Sequence, residues 1–140
     1  MSAGQRPGGL TALAVLNFVF GGIKAIVILG LFALLGAASQ TTGVDVGEAV
    51  AKIEGGGLVW VSILLGLATT VLLIVSGVGY LGQKRFLGRT MGNAYAICSL
   101  ADSAIGLMAG GNMLVTLIFA VYPLLTLMLI NGTFKEDLVN

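Results

Sequence analysis

The sequence predicts an all-α, polytopic membrane protein: a bundle of four transmembrane helices with the N and C termini in the cytoplasm. Three observations carry this. Four long apolar stretches, Leu10 to Ala38, Leu58 to Leu81, Leu87 to Met108 and Asn112 to Ile130, fill most of the chain. Each approaches or exceeds the roughly 20 residues that a helix rising about 1.5 Å per residue needs to cross a hydrocarbon core. Composition agrees: 57% of the 140 residues are hydrophobic and 9% charged, and mean hydropathy is +1.05. One small water-soluble core could not hide so much apolar surface. Basic residues concentrate in one short connection, which fixes the orientation. A single membrane domain over residues 1–140 follows.

The first stretch is preceded by Arg6 and ends at Gly36-Ala37-Ala38-Ser39, the outline of a secretory signal. Its length argues for retention as a helix. A signal's apolar region runs about 7 to 15 residues, and Leu10 to Ala38 is far longer and carries Lys24 in its middle.

The outer loop 39–57 holds Asp45, Glu48, Lys52 and Glu54, a net negative set. Val46, Val50 and Ile53 recur there at helical spacing, so a short amphipathic helix is expected, with Thr41, Thr42 and Gly43 before it and Gly55, Gly56 and Gly57 ending it. Such a helix caps the bundle or docks a partner.

The second stretch places Trp60 and Tyr80 near its opposite ends, where amphipathic rings anchor at the headgroup level. The basic turn 82–89 follows, with Lys84, Arg85 and Arg89 and no acid. Short loops rich in Lys and Arg stay in the cytoplasm. Four crossings bring both termini, including Arg6 and the tail 131–140, to that same side. The fourth stretch contains Pro123, which removes a hydrogen bond to the Phe119 carbonyl and predicts a kink beside Tyr122 and Thr126.

Two charges interrupt the stretches, Lys24 and Asp102. An isolated ion at the bilayer centre costs about 2.5 to 3.5 kcal/mol on insertion scales. Lys24 lies 14 residues beyond Leu10 and Asp102 lies 13 beyond Arg89, so both sit about 20 Å deep. Matched depth predicts a buried ion pair between the first and third membrane helices, each charge offsetting the other's desolvation. Asn17 and Gly21 share a face with Lys24, and Tyr95, Cys98 and Ser99 share one with Asp102, so a polar seam of Asn17, Tyr95 and Ser99 supports the pair. The seam reads first as glue between helices and second as a proton or ion path. The stretches contain no histidine or glutamate to relay protons onward. Small-xxx-small spacings at Gly88/Gly92, Gly106/Gly110 and Ser62/Gly66 favour close packing, within the bundle or between copies.

Several chemistries are excluded. Without histidine there is no Ser-His-Asp unit and no His-bound metal, and the lone Cys98 builds neither a disulfide within the chain nor a metal cage. No Gly-rich segment opens a phosphate-binding helix with a Lys-Ser or Lys-Thr pair. No catalytic residue, cofactor or metal is expected. A net charge of +1 gives no field to collect nucleic acid.

Arg6-Pro7-Gly8-Gly9-Leu10 runs straight into the first helix, which carries a Gly-Gly pair in its middle, and Gly82-Gln83-Lys84-Arg85-Phe86-Leu87-Gly88-Arg89 leads a basic turn into the third. Over these segments the chain resembles small four-helix bacterial inner-membrane proteins of uncharacterised function. The resemblance implies a multi-pass protein of the bacterial cytoplasmic membrane and brings no activity. The role expected from the sequence is a non-enzymatic structural or accessory subunit, packed in lipid as a homo-oligomer or with other membrane proteins. The alternative is a small oligomeric channel or transporter for ions, protons or small solutes, with Lys24, Asp102 and the Pro123 kink along its path.

Overall fold

The structure is a computed structural model that describes residues 7–52 and 56–138. It is 87% helix with no strand among the described residues. Helix α1 spans Gly8–Thr42, 35 residues, and starts where the Pro7 carbonyl accepts from Leu10 N at 3.0 Å. It runs past the expected end at Ala38. The Thr41 and Thr42 hydroxyls fold back onto the carbonyls of Ala37 and Ala38 at 3.0 and 2.7 Å, so these residues prolong the last turn. Gly43 stops it with φ of 65°, its N–H donating to Ser39 O at 3.0 Å, the left-handed cap that glycine adopts without strain.

The short helix expected in the outer loop is α2, Val46–Ala51, capped by Asp45, which accepts from Gly47 N at 2.7 Å and Glu48 N at 3.2 Å. Ile53, Glu54 and Gly55 lie outside the described residues. Gly56 and Gly57 do not terminate anything: they begin α3, Gly56–Leu81. A Cβ on Gly56 would run into the Val50 carbonyl group, whose carbon lies 2.9 Å away. Glycine is there for close approach of α2 to α3.

After α3 the chain reverses through Gln83, at φ of 51°, with Lys84 N donating to Gly79 O at 2.9 Å. A π-helical turn, Arg85–Thr90, leads directly into α4, Met91–Met108. Gly110, at φ of 84°, makes the next reversal. Asn112 then caps α5, Met113–Met128, accepting from Leu114 N at 2.9 Å and Val115 N at 3.4 Å. Helix α5 continues unbroken through Pro123, which is fully buried. A second π-helical turn, Leu129–Thr133, follows it.

The four long helices alternate in direction. Asn17 meets Ser76 and Lys24 meets Thr69 between α1 and α3; Ser62 meets Asp102 and Gly79 abuts Gly88 between α3 and the α4 segment; Asn93 meets Asn131 between α4 and the turn after α5. Helix α3 thus stands between α1 and α4. Three helices, Gly8–Thr42, Gly56–Leu81 and Met113–Thr133, are long and apolar enough to cross a membrane. The 18-residue α4 is not among them, since Asn93, Ser99, Asp102 and Ser103 dilute its hydropathy.

Packing is uneven along the bundle. Near the termini, Leu10, Leu13, Ala14, Tyr80, Ile130, Phe134 and Leu138 form a solid core. No residue of α1 beyond Gly21 is buried, and Ile26, Leu29 and Leu34 stand 71%, 68% and 72% exposed, as side chains solvated by lipid do. Two expectations are corrected here. Tyr80 is not a headgroup anchor: it is wholly buried, because the turn after α3 folds Gly88 and Gly92 of the next segment over its ring. Trp60 is 39% exposed. Of the expected tail 131–140, residues 131–138 are described, and they pack on the bundle. Phe134 and Leu138 are drawn under the start of α1, with the Phe134 ring against Gly9.

Candidate functional site

Polar side chains inside the bundle follow a regular rail. Ser62, Thr69 and Ser76 recur every seven residues along α3, two helical turns and about 10 Å per step, so all three hydroxyls lie on one face. Each rung takes a different partner. Ser76 accepts from Asn17 Nδ2 at 2.7 Å, Thr69 accepts from Lys24 Nζ at 2.8 Å, and the Ser62 hydroxyl donates to Asp102 Oδ1. Asn17 and Lys24 are themselves seven apart on α1, which is why two rungs engage the same helix.

The expected ion pair between Lys24 and Asp102 is therefore not formed. Among the described residues the ion pair is Lys52 with Glu48, 2.7 Å apart and exposed. The reason is helix order. Helix α3 stands between α1 and α4, and its hydroxyls take the two charges on rungs seven residues apart, Thr69 for Lys24 and Ser62 for Asp102, so the matched depth expected from residue counts is not kept either. Both side chains still face one cavity of about 490 Å³. Lys24, Ser62, Asp102, Ser99, Ser103 and Thr116 supply polar lining. Phe20 and Ile23 on α1 and Ile118 and Phe119 on α5 are its exposed lips.

Toward the termini the cavity has a floor. Asn17, wholly buried, donates to Ser76 and accepts from the Tyr122 hydroxyl, stitching α1, α3 and α5 together. The Tyr122 ring packs on Phe20 at 4.6 Å and on Tyr95 at 6.2 Å between centroids, both tilted. Below that plug lies the solid core, so the cavity is a dead end. Thr126 bonds back to the Tyr122 carbonyl at 2.9 Å. A second polar cluster closes the far end of the bundle, where Asn93 and Asn131 exchange amide hydrogen bonds at 2.6 and 3.2 Å and Arg89 Nε donates to Asn131 at 3.2 Å.

Of the residues singled out from sequence, Lys24, Asp102, Tyr95 and Ser99 line the cavity, and Asn17 lies behind Tyr122, to whose hydroxyl it is bonded. Pro123 is buried beside it on α5 and does not line it. Cys98 is half-buried and also off the lining. The glycine spacings divide. Gly88 and Gly92 both lie against Tyr80 within the chain; a Cβ at Gly106 would meet nothing within 4 Å, and Gly110 serves the turn. Sequence reasoning missed Thr69, Ser76, Ser103 and the role of Tyr122 as floor. The signal was present in the seven-residue spacing of Ser62, Thr69 and Ser76.

Asp102 accepts from the Ser62 hydroxyl. Among the described residues no group of three or more His, Cys, Asp or Glu is placed to hold a metal ion. Comparison with protein families, with curated proteins and with solved structures finds no match.

Proposed function

We propose that this chain is a non-enzymatic, four-span protein of a bacterial cytoplasmic membrane, with cytoplasmic termini, whose lateral cleft binds a small solute as part of a carrier. One observation carries the reading. Lys24 and Asp102 form no direct ion pair, yet face one cavity, each holding a single hydroxyl partner. An ammonium offers three donors and a carboxylate about four acceptor sites, so most of their hydrogen-bonding capacity points into the cleft. Leaving it unfilled in lipid is costly. Water or a polar solute fills it.

The fourth span is α4 with its preceding π-helical turn. Ser99, Asp102 and Ser103 face the cleft, and Ile97, Leu107 and Met108 are exposed on the outside. The orientation rests on the basic turn Lys84, Arg85 and Arg89, and the bacterial setting on the resemblance of the first helix and that turn. A carrier is favoured over an open channel by the plug at Asn17 and Tyr122, which blocks the cleft on the terminus side. The accessory-subunit role is the second reading, favoured by the exposed apolar surface of α1 beyond Gly21.

Thiol accessibility tests the assignment. In a Cys98→Ser background, Ser103→Cys places a thiol on the cleft wall and Leu117→Cys places one on the outer face of α5, where Leu117 is 54% exposed. In sealed proteoliposomes a charged, water-soluble methanethiosulfonate reagent should modify the first far faster than the second. Equal, slow reaction at both positions would mean a dry cleft and would remove the solute-binding reading.

A further inference from the structure

We infer that the cleft recognises an α-amino acid with an apolar side chain, held as a zwitterion between Asp102 and Lys24. This deepens the solute-binding reading and rests on it. The two charges bond to rungs of α3 seven residues apart, Ser62 and Thr69, and those rungs stand about 10 Å apart along the helix. In an α-amino acid the ammonium nitrogen and a carboxylate oxygen lie at most about 3.6 Å apart through the N–Cα, Cα–C and C–O bonds. Adding a charge-assisted hydrogen bond of about 2.8 Å at each end gives roughly 9 Å, short enough to lie between the two rungs.

Polarity sets the direction of binding. Asp102 sits on the rung nearer the loops and Lys24 on the deeper one, so the ammonium faces the loop end and the carboxylate faces inward. A solute with one charge would leave the other protein charge partly buried without a counterion, which its environment in the bilayer penalises. A zwitterion satisfies both and adds no net charge to the membrane interior. The rest of the wall is apolar and aromatic: Leu73, Phe119 and the Phe20, Tyr95 and Tyr122 cluster. That surface suits an aliphatic or aromatic side chain, and a volume of about 490 Å³ lies within the range of small-molecule sites.

The test is equilibrium binding of L-leucine and L-phenylalanine to the full chain in detergent, against two leucine analogues that each lack one charge, isoamylamine and 4-methylpentanoate. Saturable leucine binding is expected, with both analogues at least about tenfold weaker, the scale of one charge-assisted hydrogen bond. Lys24→Met should bring leucine down to the level of isoamylamine, and Asp102→Asn should bring it down to the level of 4-methylpentanoate. The analogue series on the unaltered chain decides the matter even if either variant fails to fold. Equal binding of leucine and isoamylamine, or no saturable amino-acid binding, overturns the zwitterion assignment. If Ser103→Cys is nevertheless accessible to the aqueous reagent, the cleft reading survives that failure. If Ser103→Cys is inert, both fall together. A zwitterionic phospholipid found by mass spectrometry to occupy the purified protein, and not displaced by leucine, also overturns it.

Discussion

Gly79→Ala is the sharpest test of how this bundle is closed. At Gly79 an added Cβ would lie 2.6 Å from Gly88 Cα, and nearer still to Gly88 N and the Leu87 carbonyl carbon. Ordinary contact begins at 3.4 Å, so at least 0.8 Å (3.4 less 2.6) of backbone displacement is required. No flexible side-chain end is available to yield. Overpacking a core where side chains can shift costs about 1 to 3 kcal/mol, and the backbone obstruction puts this case at the upper end. Against it stands the helix-propensity gain of Ala over Gly, about 0.5 to 1 kcal/mol. Crowding wins by about 2 kcal/mol. At Gly22, also inside a helix, a Cβ meets nothing within 4 Å, so Gly22→Ala keeps only the gain and should stabilise. Thermal unfolding in mild detergent, followed by reaction of the single native thiol at Cys98 with a fluorogenic maleimide, reads both. Gly79→Ala should melt about 6 °C below the parent on the usual scaling, and Gly22→Ala slightly above it. A Gly79→Ala protein that melts with the parent, or a Gly22→Ala protein that loses as much, would refute the close approach of α3 to the following turn.

Other outcomes follow from the same packing. Asn17→Ala and Tyr122→Phe, measured singly and together, should show a coupling of about 0.6 to 1.7 kcal/mol, the range for hydrogen bonds between membrane helices; strictly additive losses would mean that the Asn17 to Tyr122 bond contributes nothing. Phe134→Ala should cost about 3 kcal/mol as a buried aromatic truncation, whereas Phe86→Ala, at a side chain 62% exposed, should stay within about 0.5 kcal/mol; parity between them would deny that the C-terminal segment is part of the core. In the outer loop, Asp45→Ala should speed amide exchange at Gly47 and Glu48 by removing their acceptor. Lys52→Gln should leave exchange there unchanged, because the Glu48 pair is exposed and such pairs contribute about 0 to 1 kcal/mol.

What could be read in the sequence was whatever depends on one dimension. Apolar length marked the long helices, whereas the caps at Gly43, Asp45 and Asn112 emerged only from the structure. Relative depth and azimuth of Lys24 and Asp102 were not legible. Residue counts put the two at one level, but their α3 partners lie seven residues apart, and nothing local to Lys24 or Asp102 says that α3 lies between them. Tyr80 failed for a related reason: its position along α3 suggested a headgroup level, but burial was decided by the glycines at 88 and 92 that fold over it. Phe134 and Leu138 were masked by the charges of Lys135, Glu136 and Asp137 between them, although a four-residue spacing puts both on one side of a helical turn.

The uneven packing along the bundle has a mechanical consequence. A rod gripped along one half of its length deflects most at its free tip; α1 buries no residue beyond Gly21 and makes its last hydrogen bond to α3 from Lys24. The part beyond Lys24 can swing relative to α5 while every core residue keeps its neighbours. The cleft therefore has an adjustable width and a fixed fulcrum, the Asn17 amide, which would let its mouth widen or narrow around an occupant without unfolding anything.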